Sequence, residues 1–213
     1  MTIRVFIADD HAVMRDGLKA LLEAAGDIVV IGEVANGHDA VLHVPELAPD
    51  VVLMDVAMPE MNGIEAARLL RAKLPGARIV ILSMHSSSEH VYRALDAGAA
   101  GYLLKESAGS EVVAAVRAVH AGNRYLSRAI GRIASAGPGG SVAASPLDRL
   151  SVRERQVLQL VVEGRSSAEI ARLVHLSPKT VETYRSRLMS KLGVSDVPAL
   201  VKFAVQHGLT PLY

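Results

Sequence analysis

Five side chains that can take part in chemistry directly follow apolar segments in the first half of this sequence. They are Asp9 and Asp10 after "IRVFIA", Asp55 after "VVLM", Ser83 after "IVIL" and Lys105 after "GYLL". If the aspartates lie together, their like charges repel one another, and a divalent cation relieves that repulsion. Mg²⁺ prefers oxygen ligands, and a hydroxyl and an ammonium beside it complete a site for a phosphoryl group. An aspartate can be the nucleophile that accepts this group.

The apolar segments are predicted to be the strands that bring these side chains together. They occur at residues 3–8, 28–34, 51–54, 79–82 and 101–104, and helical patterns lie between them. This alternation predicts an α/β fold, a five-stranded, doubly wound parallel sheet covered on both faces. Functional groups of such sheets gather beyond the carboxyl ends of the strands. The first helical pattern contains Val13, Leu18, Leu21 and Leu22, and Asn62 is a candidate cap of a later helix.

Each of these residues also has a purely structural interpretation when it is taken alone. An Asp after a strand is more often a helix cap or a turn former, and Asp10 before "HAVMRDGL" fits that description. A lone Ser or Lys after a strand carries little information. The combination of Asp-Asp, Asp, Ser and Lys after the first, third, fourth and fifth strands is much harder to obtain by chance, and it favours the functional interpretation.

Composition and charge indicate two modules within the 213 residues. Residues 1–147 hold 13 Lys/Arg and 16 Asp/Glu, a net charge of −3, whereas residues 148–213 hold 10 Lys/Arg and 6 Asp/Glu, a net charge of +4. An acidic part followed by a basic part suggests different partners. The absence of cysteine excludes disulfides and thiolate metal sites and fits a cytoplasmic location. Neither a signal peptide nor a membrane span is expected, because no apolar segment has the required length.

A segment rich in Gly, Ala, Ser and Pro separates the two modules. Residues 131–146 read "GRIASAGPGGSVAASP", a composition typical of a flexible linker. A loop of this length within one compact domain is the less common alternative. The expected organisation is a first domain at residues 1–127, a linker at residues 128–147 and a second domain at residues 148–213.

The second domain is predicted to be all-α, with four helices. Ser151 with Glu154 and Ser166 with Glu169 match capping boxes. Residues 167–174 are predicted to form a short helix, "HLS" a turn and residues 178–192 a longer helix. This is the pattern of a helix-turn-helix, whose second helix enters the major groove of DNA. The last helix is expected at residues 197–206, with an apolar stripe divided between the core and a dimer contact.

The longer helix has distinct faces. Val181, Leu188 and Leu192 repeat at helical spacing and should face the core, and the groove-facing residues would be Lys179, Glu182, Thr183 and Ser186. Glu182 can accept a hydrogen bond from cytosine, and Thr183 can touch a thymine methyl group. Phosphate contacts, which fix position rather than read sequence, are expected from Lys179, Thr180, Tyr184, Arg187 and Lys191. A merely solvated basic surface is the alternative for this helix taken alone.

Several segments resemble a known family in their order and spacing. "IADDHAVMRDGL", "LMDVAMPEMNGIEA", "ILSMH" and "ALDAGAAGYLLKE" resemble the receiver domain of bacterial response regulators. "LSVRERQVLQLVVEGRSSAEIARLVHLSPKTVETYRSRLMSKLGV" resembles the helix-turn-helix output domain of their NarL/FixJ (LuxR-type) subfamily. The resemblance covers almost the whole chain except the linker. It implies a flavodoxin-like receiver domain followed by a LuxR-type DNA-binding domain.

The resemblance also implies roles for individual residues of the first domain. Asp55 would be the phosphoacceptor. Asp10 and Asp55 would bind Mg²⁺ directly, together with the backbone carbonyl of Ala57, and Asp9 would act through a water molecule.

Three further residues would respond to phosphorylation, according to the same resemblance. Lys105 would pair with the phosphoryl oxygens, Ser83 would hydrogen-bond to the phosphoryl group and move, and Tyr102 would change its rotamer at the same time. The sequence departs from the family pattern at Glu60, where glycine is frequent. An exposed side chain at that position is expected to have little effect.

The function implied by the resemblance is that of a two-component response regulator. Its binding to promoter DNA, as a homodimer formed on phosphorylation or on DNA, would be controlled by Mg²⁺-dependent phosphorylation of Asp55 by a sensor histidine kinase. Beyond gaining and slowly losing this phosphoryl group, it would not be an enzyme. Two alternatives stay open. One is an aspartyl-phosphate phosphatase, although its favoured second aspartate is replaced by Ala57; the other is a DNA-binding protein with a silent receiver.

Overall fold

The apolar segments form one parallel sheet in the computed structural model, which describes residues 2–130, 146–207 and 209. The strands are β1 (Ile3–Ala8), β2 (Ile28–Val34), β3 (Val51–Asp55), β4 (Arg78–Ser83), β5 (Gly101–Leu104) and β6 (Tyr125–Leu126). Their order in the sheet is β2-β1-β3-β4-β5-β6, and every neighbouring pair is parallel. The α/β class and the parallel sheet are therefore confirmed.

The prediction of five strands was wrong by one, because a sixth strand lies at the edge of the sheet. β6 has only two residues and pairs with β5 through Gly101 with Tyr125 and Tyr102 with Leu126. Two residues are too few to give a recognisable apolar run. β3 and β4 also end one residue later than predicted, so that Asp55 and Ser83 are the last residues of their strands.

Five helices of the first part of the chain cover the two faces of the sheet: α1 (Ala12–Glu23), α2 (Gly37–Leu47), α3 (Gly63–Lys73), α4 (Ser88–Asp96) and α5 (Lys105–His120). Alternate residues of β1 point to opposite faces, since Val5 and Ile7 pack with α1 and α5, while Phe6 packs with the cluster that includes α2, α3 and α4. The doubly wound arrangement is confirmed. Asn62 caps α3, because its side-chain oxygen accepts from the backbone NH of Glu65 at 3.0 Å.

The apolar side of α1 is narrower than its sequence pattern predicts. Leu18 and Leu22 are buried against the sheet, but Val13 is 85% exposed and Leu21 is 41% exposed. Only two of the four apolar residues of the pattern therefore contribute fully to the core.

Helices are the only regular secondary structure in the described residues of the second part of the chain. A 3-10 helix (Pro146–Arg149) precedes α6 (Val152–Val162), α7 (Ser167–Leu173), α8 (Pro178–Leu192) and α9 (Val197–Gln206). Both capping boxes are present, at the starts of α6 and α7. The four predicted α-helices are confirmed, and the short 3-10 helix is an addition to them.

The chain divides into two compact units, Met1–Val142 and Ala143–Tyr213. The predicted linker, residues 128–147, falls largely on residues 131–145, which lie outside the described residues. Of its described ends, residues 128–130 are helical and Ile130 is buried in the core of the first unit. Leu147 is buried in the core of the second unit. Among the helices of the described ranges, none combines the length and the apolar character that a membrane crossing requires.

Candidate functional site

Adjacent strands bring the predicted acidic residues together at the carboxyl ends of the strands. β1 pairs with β3, so Asp9, directly after β1, lies beside Asp55, the last residue of β3. Lys105, the first residue of α5, reaches both carboxylates: its Nζ lies 2.9 Å from Asp9 Oδ2 and 2.8 Å from Asp55 Oδ2. All three side chains are at least 92% buried, so these contacts are formed away from bulk solvent.

Asp10 and His11 extend the acidic cluster toward the surface. The Nδ1 atom of His11 lies 2.7 Å from Asp10 Oδ1, and the backbone NH of His11 donates to Asp9 Oδ1 at 2.9 Å. One ligand atom from each of Asp9, Asp10, His11 and Asp55 can be chosen so that all lie within 4.8 Å of one another. The three carboxylates are the hard oxygen donors that Mg²⁺ prefers, so the donor set fits that ion.

In this arrangement the negative charge of Asp55 is only partly balanced by nearby positive charge. Burial raises the pKa of the Asp55 carboxyl to about 6, the ammonium of Lys105 opposes this rise, and the charges of Asp9 and Asp10 add to it. Burial alone would lower the pKa of Lys105, but Asp55 and Asp9 outweigh it and the net shift is upward. One cation therefore faces three carboxylates. Additional positive charge at this position would favour the ionised, nucleophilic form of Asp55.

The loop after β3 holds Asp55 in place through close backbone contacts. The NH of Val56 donates to the carbonyl of Leu82 at 3.0 Å, and the NH of Gly63 donates to the carbonyl of Val56 at 2.9 Å. A Cβ atom at Gly63 would lie 1.9 Å from the carbonyl oxygen of Asp55, so only glycine fits there. Ala57 is half-buried in this loop, and its carbonyl as a metal ligand stays a prediction.

Glu60 has a backbone conformation that the sequence does not reveal. Its φ is 66°, in the left-handed region where glycine is favoured, and its side chain is half-buried rather than exposed. The frequent glycine at this position of the family thus has a conformational reason. The expectation of an exposed side chain at Glu60 was wrong.

Ser83 and Tyr102 are connected through the backbone of His85. The Oγ atom of Ser83 accepts from the NH of His85 at 3.0 Å, and the hydroxyl of Tyr102 donates to the carbonyl of His85 at 2.7 Å. Tyr102 is completely buried, and burial raises its pKa to about 12. The imidazole rings of His85 and His90 are stacked with centroids 4.5 Å apart. No sequence pattern indicates this connection, because His85 takes part in it through backbone atoms.

Ser127 is a second residue that the sequence analysis missed. It is completely buried directly after β6, and its Oγ accepts from the backbone NH of Leu104, the residue before Lys105, at 3.1 Å. The pattern that singled out Ser83, a hydroxyl at the end of a strand, would also have found Ser127 if the two-residue strand had been recognised.

The helix-turn-helix has the predicted position in the second unit. α7 ends at Leu173, α8 begins at Pro178, and the turn between them includes His175 with a φ of 53°. Ser177 caps α8 by accepting from the NH of Thr180 at 3.1 Å. The predicted core residues Val181 and Leu188 are buried and Leu192 is half-buried; of the predicted DNA contacts, Thr180 and Tyr184 are half-buried, and Lys179, Glu182, Thr183, Ser186, Arg187 and Lys191 are exposed.

Several of these exposed side chains have partners within the second unit. Glu182 accepts a hydrogen bond from the hydroxyl of Ser167 on α7. The Thr183 hydroxyl donates to the carbonyl of Lys179 at 3.0 Å. Lys191 Nζ lies 2.7 Å from Glu154 Oε2 on α6. Glu182 and Thr183 remain on the exposed face, whereas Lys191 is already paired with a carboxylate.

Both parts of the chain match known families. Residues 5–117 match the response regulator receiver domain, and residues 148–204 match the bacterial regulatory proteins of the luxR family. The transcriptional regulatory protein LiaR of Bacillus subtilis is 40% identical over 208 residues, covering 97% of this chain and 99% of that protein. The transcriptional regulatory protein MctR of Rhizobium johnstonii is 39% identical over 207 residues, covering 97% and 95%.

A solved structure is also similar to this chain. A structure of two RcsB dimers bound to two parallel DNAs is similar with a TM-score of 0.58 and 27% identity, covering 95% of this chain and 98% of that one. The likeness therefore extends over both units of the chain.

Proposed function

This chain belongs to the two-component response regulators with a LuxR-type DNA-binding domain, which are transcription factors, and we propose that phosphorylation of Asp55 controls its binding to promoter DNA. The phosphoryl group would come from a phosphohistidine of a partner sensor histidine kinase. The single observation that carries the proposal is the contact of one buried ammonium, Lys105 Nζ, with both Asp9 and Asp55 at the edge of the sheet.

Asp55 is the proposed nucleophile because it is the last residue of the central strand β3 and its carboxylate contacts the ammonium of Lys105. In the transfer step an oxygen of the Asp55 carboxylate forms a bond to phosphorus while the bond from phosphorus to the donor's imidazole nitrogen breaks. The imidazole leaves with the electron pair of that bond and takes up a proton. Lys105 lies within 2.8 Å of the attacking carboxylate, so it is placed to bind an oxygen of the transferred group.

Asp9, Asp10 and Asp55, with the carbonyl of Ala57, are the residues that would hold Mg²⁺. When it is bound, this ion supplies charge neutralisation for the carboxylates and for the incoming phosphoryl group. His11 Nδ1 lies close to both Asp9 and Asp10, at 3.4 and 2.7 Å, and its 61% exposed side chain makes it an outer neighbour rather than a necessary ligand.

The consequence of phosphorylation is proposed to start at Ser83 and Tyr102. A new phosphoryl group adds a charge of about −1.5 to −2 at the site and attracts the hydroxyl of Ser83. Ser83 accepts from the His85 NH, and Tyr102 donates to the His85 carbonyl. A movement of Ser83 would therefore shift the backbone of His85 and, through it, the ring of Tyr102. A two-state change of the surface around α4 and β5 follows from such a coupling.

The DNA-binding part of the proposal uses the exposed face of α8. Lys179 and Arg187 are exposed on it and have no ion-pair partner among the described residues, so both are available for phosphate oxygens. A single unit of this size has a small footprint, which favours a homodimer on two half-sites. The similarity to DNA-bound RcsB dimers supports this arrangement. A location in the cytoplasm, where promoter DNA is accessible in bacteria, is part of the same proposal.

The test measures phosphorylation and DNA binding on the same full-length protein. Acetyl phosphate and Mg²⁺ should label the protein, and the Asp55→Asn variant should not be labelled. Asp16→Asn, which changes an exposed aspartate of α1, is the matched control and should be labelled normally. A titration with promoter DNA at fixed salt, with mass measurement of the complex, should give tighter and dimeric binding only for the labelled protein. Labelling of Asp55→Asn at the wild-type rate would exclude Asp55 as the acceptor.

A further inference from the structure

The helix that carries Lys105 begins without a local cap. Leu104 is the N-cap residue of α5, and its side chain makes no capping hydrogen bond. The helices α6 and α7 differ in this respect, because a Glu at the third position of each helix accepts from the N-cap backbone NH. The residue at the third position of α5 is Ser107, whose hydroxyl is too short for that contact and instead donates to the Leu104 carbonyl at 3.2 Å.

Ser127 supplies the missing contact from the neighbouring strand. Its Oγ accepts from the NH of Leu104 at 3.1 Å and lies 3.0 Å from the Oγ of Ser107. A residue distant in sequence thus performs the part that the third helical residue performs in a capping box. A buried backbone NH that lost this acceptor would be left without a partner, which is costly.

The backbone of Ser127 is also fixed, so that its hydroxyl has little freedom. Its NH donates to the carbonyl of Tyr102 at 2.9 Å and its carbonyl accepts from the NH of Ile130 at 2.8 Å. The side chain is completely buried. Ser127 therefore holds the end of β5 on one side and the beginning of α5 on the other.

The residue placed at this junction is the one that contacts the acceptor aspartate. A lysine at the first helical position is unfavourable for the helix itself, because the N-terminus of a helix carries partial positive charge. Lys105 is therefore held by its contacts with Asp9 and Asp55 at 2.9 and 2.8 Å and by the backbone from which it projects. The same positive helix terminus favours a phosphoryl group near Lys105.

We propose that Ser127 is a positioning residue for phosphoryl transfer: by holding the Leu104 NH and the Ser107 hydroxyl, it fixes the β5–α5 junction so that the Lys105 ammonium meets the phosphoryl group on Asp55. The proposal rests on the proposed function of Asp55. Ser127 touches neither the metal-binding carboxylates nor the transferred group, and it acts through Lys105 alone.

The test measures the initial rate of labelling by acetyl phosphate and Mg²⁺ in full-length variants. Ser127→Ala should slow labelling about 3- to 10-fold, the effect of one lost hydrogen bond, with an unchanged Mg²⁺ concentration for half-saturation. Ser127→Thr keeps the hydroxyl and should restore most of the rate. Tyr125→Phe is the matched control: it removes a hydrogen bond from the same strand to Glu111, away from Leu104, and should leave the rate unchanged.

A double-mutant cycle separates positioning of Lys105 from general support of the fold. In a Lys105→Ala background, Ser127→Ala should have no further effect on the rate, because the group that it positions is gone. Equal slowing in both backgrounds, or a wild-type rate for Ser127→Ala, overturns the proposal. If Ser127→Ala does not fold, Ser107→Ala disturbs the same bridge from the other side and is expected to slow labelling with the same dependence on Lys105. Absence of labelling in the wild type would instead refute the proposed function itself.

Discussion

Lys191 Nζ lies 2.7 Å from Glu154 Oε2, and this ion pair joins the last turn of α8 to the first turn of α6. The same carboxylate oxygen accepts from the backbone NH of Ser151 at 2.7 Å. One buried side chain, Glu154, thus caps α6 and holds α8, the proposed DNA-binding helix, against it. We therefore expect the main contribution of Lys191 to be the stability of the second unit, although the sequence assigned it to the DNA backbone.

The first prediction concerns Glu154→Gln, which should destabilise the second unit by about 1–2 kcal/mol, the size of a lost cap or a charge-assisted hydrogen bond. Burial would raise the pKa of Glu154, but Lys191 and Ser151 outweigh burial and lower it below 4.5. The carboxylate therefore stabilises the fold above the unfolded pKa, and this contribution is lost as the pH falls through the folded pKa. Calorimetry of the full chain over a pH series should show the full difference between wild type and variant at pH 7, a smaller difference as the pH falls below the unfolded value of 4.5, and none once the pH is well below the folded pKa.

Glu169→Gln is the matched control for that experiment. Glu169 has the same position in the other capping box but has no lysine partner among the described residues, so the variant loses only the cap. A destabilisation by Glu169→Gln as large as that by Glu154→Gln would show that the ion pair with Lys191 contributes nothing.

The second prediction is that Asp55→Asn makes the first unit more stable in the presence of a chelator. The pKa of Asp55 is raised from 3.8 to about 6, so ionisation of this carboxyl at neutral pH opposes folding. The gain should be at most about 2–3 kcal/mol. It should be complete above about pH 6 and disappear as the pH falls toward 3.8, where wild-type Asp55 is protonated in both states.

Thermal unfolding with EDTA at several pH values measures this difference. Addition of Mg²⁺ should raise the melting temperature of the wild type more than that of Asp55→Asn, because the variant has lost one carboxylate ligand. A lower melting temperature for Asp55→Asn at pH 7 in EDTA would contradict the electrostatic account of the site.

Strand ends predicted which charged residues lie close together, because parallel strands with alternating helices can be recognised from short apolar runs. The bounds of β1, β2, β5, α8 and α9 agree with the sequence prediction, and Asp9, Asp55 and Lys105 meet as the strand pattern requires. Local patterns of this kind predict both the strands and which charged residues lie at the ends of the strands.

Other features depend on contacts that no local pattern encodes. Glu154 and Lys191 are 37 positions apart, and charges this distant cannot be paired from sequence alone. The left-handed backbone of Glu60 is imposed by the loop after β3 and not by the preference of a glutamate. Val13 fits an apolar helical pattern yet is exposed, because the pattern does not reveal how wide a face the sheet covers.

The third prediction concerns Gly63→Ala, which should destabilise the first unit by about 1–3 kcal/mol or more. The added Cβ would overlap the carbonyl oxygen of Asp55 at 1.9 Å, and that atom is backbone and cannot rotate away. Labelling by acetyl phosphate should fall together with the melting temperature, since Asp55, the proposed acceptor, is displaced. Gly17→Ala is the control with the opposite sign: apart from the adjacent residues and the nearby backbone of helix α1, no atom lies within 4 Å of the added Cβ, so this variant should be stabilised by about 0.5–1 kcal/mol.

The fourth prediction separates the residues of α8 by their effect on DNA binding. Lys179→Ala and Arg187→Ala should each reduce the slope of log K against log salt by about one and weaken binding uniformly across sequences. Glu182→Gln should instead change base preference at one position, by about 1–3 kcal/mol, with an unchanged salt slope. Lys191→Ala should leave the slope unchanged and lower the melting temperature, because its ammonium is paired with Glu154.

For each protein, binding is measured at several salt concentrations, to one operator and to a set of its single-base variants. These measurements give the salt slope and the base preference. Lys73→Ala, an exposed lysine at the end of α3 in the first unit, is the charge-matched control and should alter neither. A reduced slope for Lys191→Ala would mean that the ion pair with Glu154 opens on DNA and that the ammonium exchanges a carboxylate for a phosphate. In that case Glu154→Gln, which frees Lys191, should bind DNA more tightly at low salt than the wild type does.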